Sequence, residues 1–79
     1  MKEITVNRSE NQVALSMNKA FYTKKAVILA SQAFCESCFI SIDADSASYS
    51  VIIKPKEETD LEVLGCEFFN YALEIMQNE

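Results

Sequence analysis

The hydrophobic period of this chain changes along its length, and the order of those changes limits its fold more than any other feature. Ile4 and Val6 alternate with polar neighbours, and Val13, Leu15 and Met17 alternate with small or polar ones. Both runs have the two-residue period of a half-buried strand, and the polar turn Asn7-Arg8-Ser9-Glu10-Asn11 separates them. From Ala26 to Phe34 the period lengthens. At about 100° per residue, Ala26, Val27, Leu29, Ala30, Ala33 and Phe34 fall on one arc of roughly 160°, while Lys25, Ile28, Ser31 and Gln32 lie outside it. Thr23 is a good N-cap for this helix, although Lys24 and Lys25 sit against the positive end of its dipole. Alternation returns in Phe39–Ile42 and Tyr49–Ile53, and the polar connection from Asp43 to Ser48 is short enough for a hairpin. Pro55, which lacks an N–H, ends that strand. A second helical run extends from Asp60 to about Gln77, with Thr59 as its predicted N-cap and Glu62 at the capping-box position.

The expected order is therefore ββαββα, an α+β fold. It predicts a two-layer sandwich in which a small, mostly antiparallel sheet carries two helices on one face. The β-α-β connection favours a parallel central pair, and a sheet built only of hairpins stays open. With 79 residues, the chain is read as one domain, 1–79. A domain this small removes only about 60–65% of its unfolded surface from water. Its content of 49% hydrophobic residues, with one Gly and one Pro, still favours regular structure over disorder.

The last helix is apolar over too wide an arc. Leu61, Leu64, Phe68, Ala72 and Ile75 form its central face, and Cys66, Phe69, Leu73 and Met76 widen that face to about 200°, against the ~100° a two-layer domain needs. Asn70, Glu67, Glu74 and Asn78 hold the remaining side. Either the extra residues are tolerated at the margin, or Cys66, Phe69, Leu73 and Met76 form a second surface used by a partner or by another copy of the chain.

Charge and residue type exclude several functions. The net charge of −5 argues against nucleic acid and anionic membrane surfaces, because Lys and Arg supply most of the affinity for phosphate. The pairs Lys24-Lys25 and Lys54-Lys56 read as solvated faces. The segment MKEITVNRSENQ has neither a signal-peptide core nor a membrane span, so the expected location is cytoplasmic. Asn7-Arg8-Ser9 then has no meaning as a glycosylation sequon. An odd count of three cysteines does not suggest a disulfide framework.

The chain has no His, which removes the commonest acid–base group and the Ser–His and Cys–His dyads. Its one Gly, Gly65, lies inside the last helix, so there is no phosphate-cradling loop. No catalytic role and no cofactor are expected. Cys35-Glu36-Ser37-Cys38 has the C-x-x-C spacing, but it lies at the C-terminal end of a helix and holds a Glu between its thiols. Both features disfavour a thiolate. With Cys66 as a third ligand the set is still incomplete for zinc, so packing cysteines are preferred to a metal shared with a partner or to redox work. Asp43 and Asp45 match the first two ligands of a calcium loop, but Ala47, Ser48 and Lys54 occupy later key positions, and a solvated turn is expected. Glu57, Glu58, Asp60 and Glu62 complement a helix dipole; an acidic docking patch for a basic partner is the functional alternative.

Certain residues carry a resemblance. Tyr22-Thr23, the Ala-rich helix, the strands Phe39–Ile42 and Tyr49–Ile53, and above all Leu64-x-x-Glu67-Phe68-x-Asn70-x-x-Leu73 resemble the D protein of the His-Xaa-Ser system, the HxsD family. The likeness runs from about Val13 to Glu74. Glu74 follows the family pattern, whereas Tyr71 stands where an acidic residue is expected. The resemblance implies a small accessory protein found beside radical S-adenosylmethionine proteins and a peptide rich in His-Xaa-Ser repeats, a setting of peptide maturation. The chain has no C-x-x-x-C-x-x-C triad, so it is not itself the radical enzyme. Three functions follow as expectations. The first is a non-catalytic adaptor that binds the His-rich peptide or the maturase. The second is a self-associating homodimer, and the third a cysteine-based metal or redox protein.

Overall fold

The computed structural model describes residues 3–78. Its elements are β1 (Ile4–Asn7), β2 (Gln12–Asn18), α1 (Lys24–Phe34), β3 (Cys38–Ala44), β4 (Ser48–Pro55) and α2 (Leu61–Gln77), in the order ββαββα of an α+β fold. The strands form one open sheet in the order β1-β2-β4-β3, and every neighbouring pair is antiparallel. The α1 crossover does make β2 and β3 run the same way. The expected parallel central pair is nevertheless absent, because β4 folds back from β3 and lies between them. In that position both edges of β4 are hydrogen-bonded, and β3 is left at the rim.

The register sorts side chains into two faces. Val6, Val13, Ile53 and Ile40 form one row across the sheet, and Ile4, Leu15, Val51 and Ile42 form the next. These residues face the helices. Thr5, Ala14, Ile52 and Ser41 form a row on the opposite, uncovered face. Val13, Leu15, Met17, Val51 and Ile53 are buried together with Ala26, Val27, Ala30, Phe68 and Ala72 in one core cluster. Phe68 lies at its centre, fully buried, with its ring 5.4 Å from that of Phe34.

Proline in a central strand needs an explanation, and the ladder supplies it. Lys56 N–H donates to the Ser37 carbonyl, and Asp45 N–H donates to the Ser48 carbonyl. In an antiparallel ladder, bonding direction alternates from residue to residue. The odd-numbered residues of β3 therefore bond to β4, and the odd-numbered residues of β4 bond to β2. Pairing with β2 ends at Val13–Ile53, so the N–H that Pro55 lacks would have had no ladder partner.

Helix boundaries follow local chemistry. Thr23 caps α1 as expected, its hydroxyl accepting from Ala26 N–H at 3.1 Å. Thr59 does not cap α2; Asp60 does, its carboxylate accepting from the N–H groups of Glu62 and Val63 at 3.1 and 3.2 Å. Helix α2 thus begins one residue later than expected, and Glu62 falls one position short of the capping box. The inward face of α1 is also narrower than its apolar arc. Ala26, Val27 and Ala30 are buried, but Ala33 is exposed, as is Leu29, which borders an outer groove beside Lys25 and Tyr71.

Helix α2 crosses close to β1 and β2 at Gly65. A β-carbon at this position would lie 3.1 Å from Ile4 Cγ2, 3.2 Å from Leu15 Cδ2 and 3.3 Å from Val13 Cγ2. The glycine is required here for space, not for an unusual backbone angle.

Candidate interaction surface

The wide apolar arc of α2 divides into a core part and an exposed part. Phe69 belongs to the core. It is only 7% exposed, and its ring packs against Tyr22 with centroids 5.6 Å apart. The expectation that Phe69 lies on a partner surface is therefore corrected: the β2–α1 connection places Tyr22 over it. Met76 is half-buried against the same core. Cys66 is exposed, and Leu73, two turns further along the same flank, is 40% exposed. Cys66 and Glu62 border a shallow groove with Ile4 and Val6 of β1. Of the expected surface, Cys66 remains exposed on the flank of α2 that borders β1, and Leu73 is exposed two turns further along.

A second apolar strip lies at the opposite rim of the sheet, where sequence reasoning did not place a site. Ile28 of α1 and Ile42 of β3 line two adjoining grooves, one shared with Lys24, Val27 and Tyr49, the other with Ser31, Cys35 and Ile40. The available signal was Ile28, which falls outside the inward arc of α1. Phe39 points to the uncovered face of the sheet and is 64% exposed, with Lys56 Nζ 5.1 Å from its ring centre. On the outer surface of the helix layer, Leu29 and Tyr71 border a groove between Lys25 and Glu74.

The cysteines are not brought together. Cys38 is buried beside Pro55, its cross-strand partner. Cys35 is exposed at the end of α1, with its thiol donating to the Gln32 carbonyl at 3.0 Å. Cys66 is across the sheet against β1. Among the described residues, no group of three or more His, Cys, Asp or Glu side chains is arranged to hold a metal ion.

The acidic residues act on nearby backbone and side chains. Asp45 Oδ1 accepts from the N–H groups of Ala47 and Ser48 at 2.7 and 2.8 Å and so closes the β3–β4 turn. Those two amides, helped by nearby Lys19, hold its carboxyl below the ordinary range. Lys19 also donates to the Asp45 carbonyl. Asp43 accepts from Ala44 N–H at 2.9 Å. Both carboxylates therefore organise the turn. In the Glu57–Glu62 run, Asp60 caps α2 and Glu62 pairs with Arg8 at 2.8 Å, both ends of that pair being solvent-exposed. Burial raises the Tyr22 phenol above its ordinary value, and the negative charge of Glu3 adds to the effect.

No helix among the described residues is long and apolar enough to cross a membrane. No protein-family model, curated protein or solved structure matches the chain.

Proposed function

We propose that the chain is a non-catalytic accessory domain that binds a peptide or protein partner along the α2 flank facing β1. The observation that carries this reading is the pair of exposed apolar residues Cys66 and Leu73 on one flank of α2, with Cys66 bordering a groove lined by Ile4 and Val6. Neither Cys66 nor Leu73 belongs to the buried core, whereas Ile4 and Val6 pack against its edge. Cys66 and Leu73 are thus exposed apolar residues outside the core, and apolar residues rimmed by polar ones are a common docking surface. Cys66 also lies beside the short edge strand β1, where an extended segment could add a strand while seating side chains against α2.

The likeness of Leu64-x-x-Glu67-Phe68-x-Asn70-x-x-Leu73 to the D protein of the His-Xaa-Ser system supplies the setting: a cytoplasmic peptide-maturation complex with a radical S-adenosylmethionine maturase and its His-rich peptide. The motif serves two ends in this fold. Leu64 and Phe68 are core residues, while Glu67, Asn70 and Leu73 face outward. The net charge of −5 suits a partly cationic, His-rich ligand.

The test is calorimetric titration of the purified chain with a synthetic peptide of His-Xaa-Ser repeats and, separately, with the maturase. Saturable binding of either ligand, lost in Leu73→Glu while the far-UV spectrum is retained, is expected. Absence of binding to both would overturn the proposal, as would binding that Leu73→Glu leaves unchanged.

A further inference from the structure

We propose that β3 is the interface of a symmetric dimer, in which two copies of the chain pair their β3 strands antiparallel about Ser41 to join two sheets into one. Because the odd-numbered residues of β3 bond to β4, the N–H and C=O groups of Cys38, Ile40, Ile42 and Ala44 point away from the sheet. Natural edge strands are commonly protected by a proline, a lysine, a bulge or extreme shortness. β3 has seven residues, Cys38–Ala44, none of them Pro or Lys, and pairs with β4 in unbroken register. Its one charged residue, Asp43, shields only the end of the edge by accepting from Ala44 N–H.

The strand is complementary to itself. A two-fold axis at Ser41 pairs the whole of Cys38–Ala44 with its copy, end to end. Each Ile40 then faces Ile42 of the second copy, and these are residues whose backbone groups already point outward. The same register keeps helix-facing side chains with helix-facing side chains, so the strip of Ile28, Ile40 and Ile42 meets its own symmetry mate above the seam. On the uncovered face, each Asp43 falls opposite Phe39 of the second copy, where that copy holds its Lys56 ammonium over the ring. Two chains of net charge −5 repel each other, and this paired acid–base contact opposes that repulsion where the chains meet. A generic peptide strand could use the same hydrogen bonds. The matched length, the reciprocal isoleucines and the Asp43–Lys56 complementarity favour a second copy. Such a dimer also leaves the Cys66–Leu73 flank free on both subunits, so it is independent of the partner proposed above.

Light scattering and sedimentation of the full chain over a tenfold concentration range test this. The expected result is a dimer whose dissociation constant rises about a hundredfold in Ile42→Lys, since the two-fold axis counts each lost isoleucine twice. Ile42 is 42% exposed, so the variant should remain folded, as circular dichroism will verify. Asp43→Lys should weaken the dimer, and adding Lys56→Glu should restore it, a rescue that damage to the fold would not produce. A folded monomer at all concentrations overturns the proposal. So does a dimer that is indifferent to Ile42→Lys, or one broken by Leu73→Glu instead, which would place the interface on α2.

Discussion

Replacing Gly65 with Ala sets two known effects against each other, and the structure decides between them. In the interior of a helix, Gly→Ala is intrinsically stabilising by about 1 kcal/mol. At this crossing the new methyl meets Ile4, Leu15 and Val13 at 3.1–3.3 Å, closer than ordinary van der Waals contact. Leu15 and Val13 are buried in β2, which is hydrogen-bonded on both sides, and Val13 is β-branched and stiff. Neither can swing away cheaply. Ile4, half-buried on the edge strand, can yield a little. Overpacking of this kind costs about 1–3 kcal/mol, so the net change is a loss of about 0–2 kcal/mol. A 79-residue domain has only about 4–12 kcal/mol of stability in all. Each kcal/mol lost lowers the melting temperature of a domain this size by about 4–8 °C. Urea unfolding followed by far-UV circular dichroism measures the change, with exposed Asn70→Ala as the control that gains helix propensity without meeting a neighbour. In an Ile4→Ala background the penalty at Gly65 should shrink, because one of the three contacts is removed. If Gly65→Ala instead stabilises the protein by the full ~1 kcal/mol, the close approach of α2 to β1 and β2 does not limit packing, and Gly65 is not required there for space.

The remaining predictions concern the cap and the turn. Asp60→Ala should destabilise the domain by about 0.5–2 kcal/mol in the same unfolding assay, while Thr59→Ala should change little, because only Asp60 accepts from the first turn of α2. The Asp45 carboxyl is lowered by the amides it binds, so its contribution is present above the ordinary carboxylate range and is lost as pH falls through the folded-state value. A pH series of unfolding curves should therefore show a loss of stability in acid that is smaller in Asp45→Asn. An identical acid profile in the variant would show that the turn is held by other groups.

Much of this architecture is legible in the residues. Alternation in Val13-Ala14-Leu15-Ser16-Met17 and in Tyr49–Ile53 indicates strands because side chains on a strand point to opposite faces in turn. The helical run after Thr23 announces α1, and the hydroxyl of Thr23 does cap it. These are local relations, set by backbone geometry and by side chains within a few residues of each other. The neighbouring choice between Thr59 and Asp60 was less legible, since either can cap a helix and the two differ by one position.

The residues alone determined the order ββαββα, the apolar positions from which the inward faces are drawn and the absence of histidine from the chain. Only the tertiary structure decided that β4 lies between β2 and β3, which exposes β3 at the rim. It also decided that Phe69 is covered while Leu73, four residues along the same helix, is not: Tyr22, 47 positions earlier in the chain, packs on the first of them. Periodicity records how an element repeats along its own axis. It does not record which distant segment will cover each side of that element, because this depends on contacts made only when the chain closes on itself.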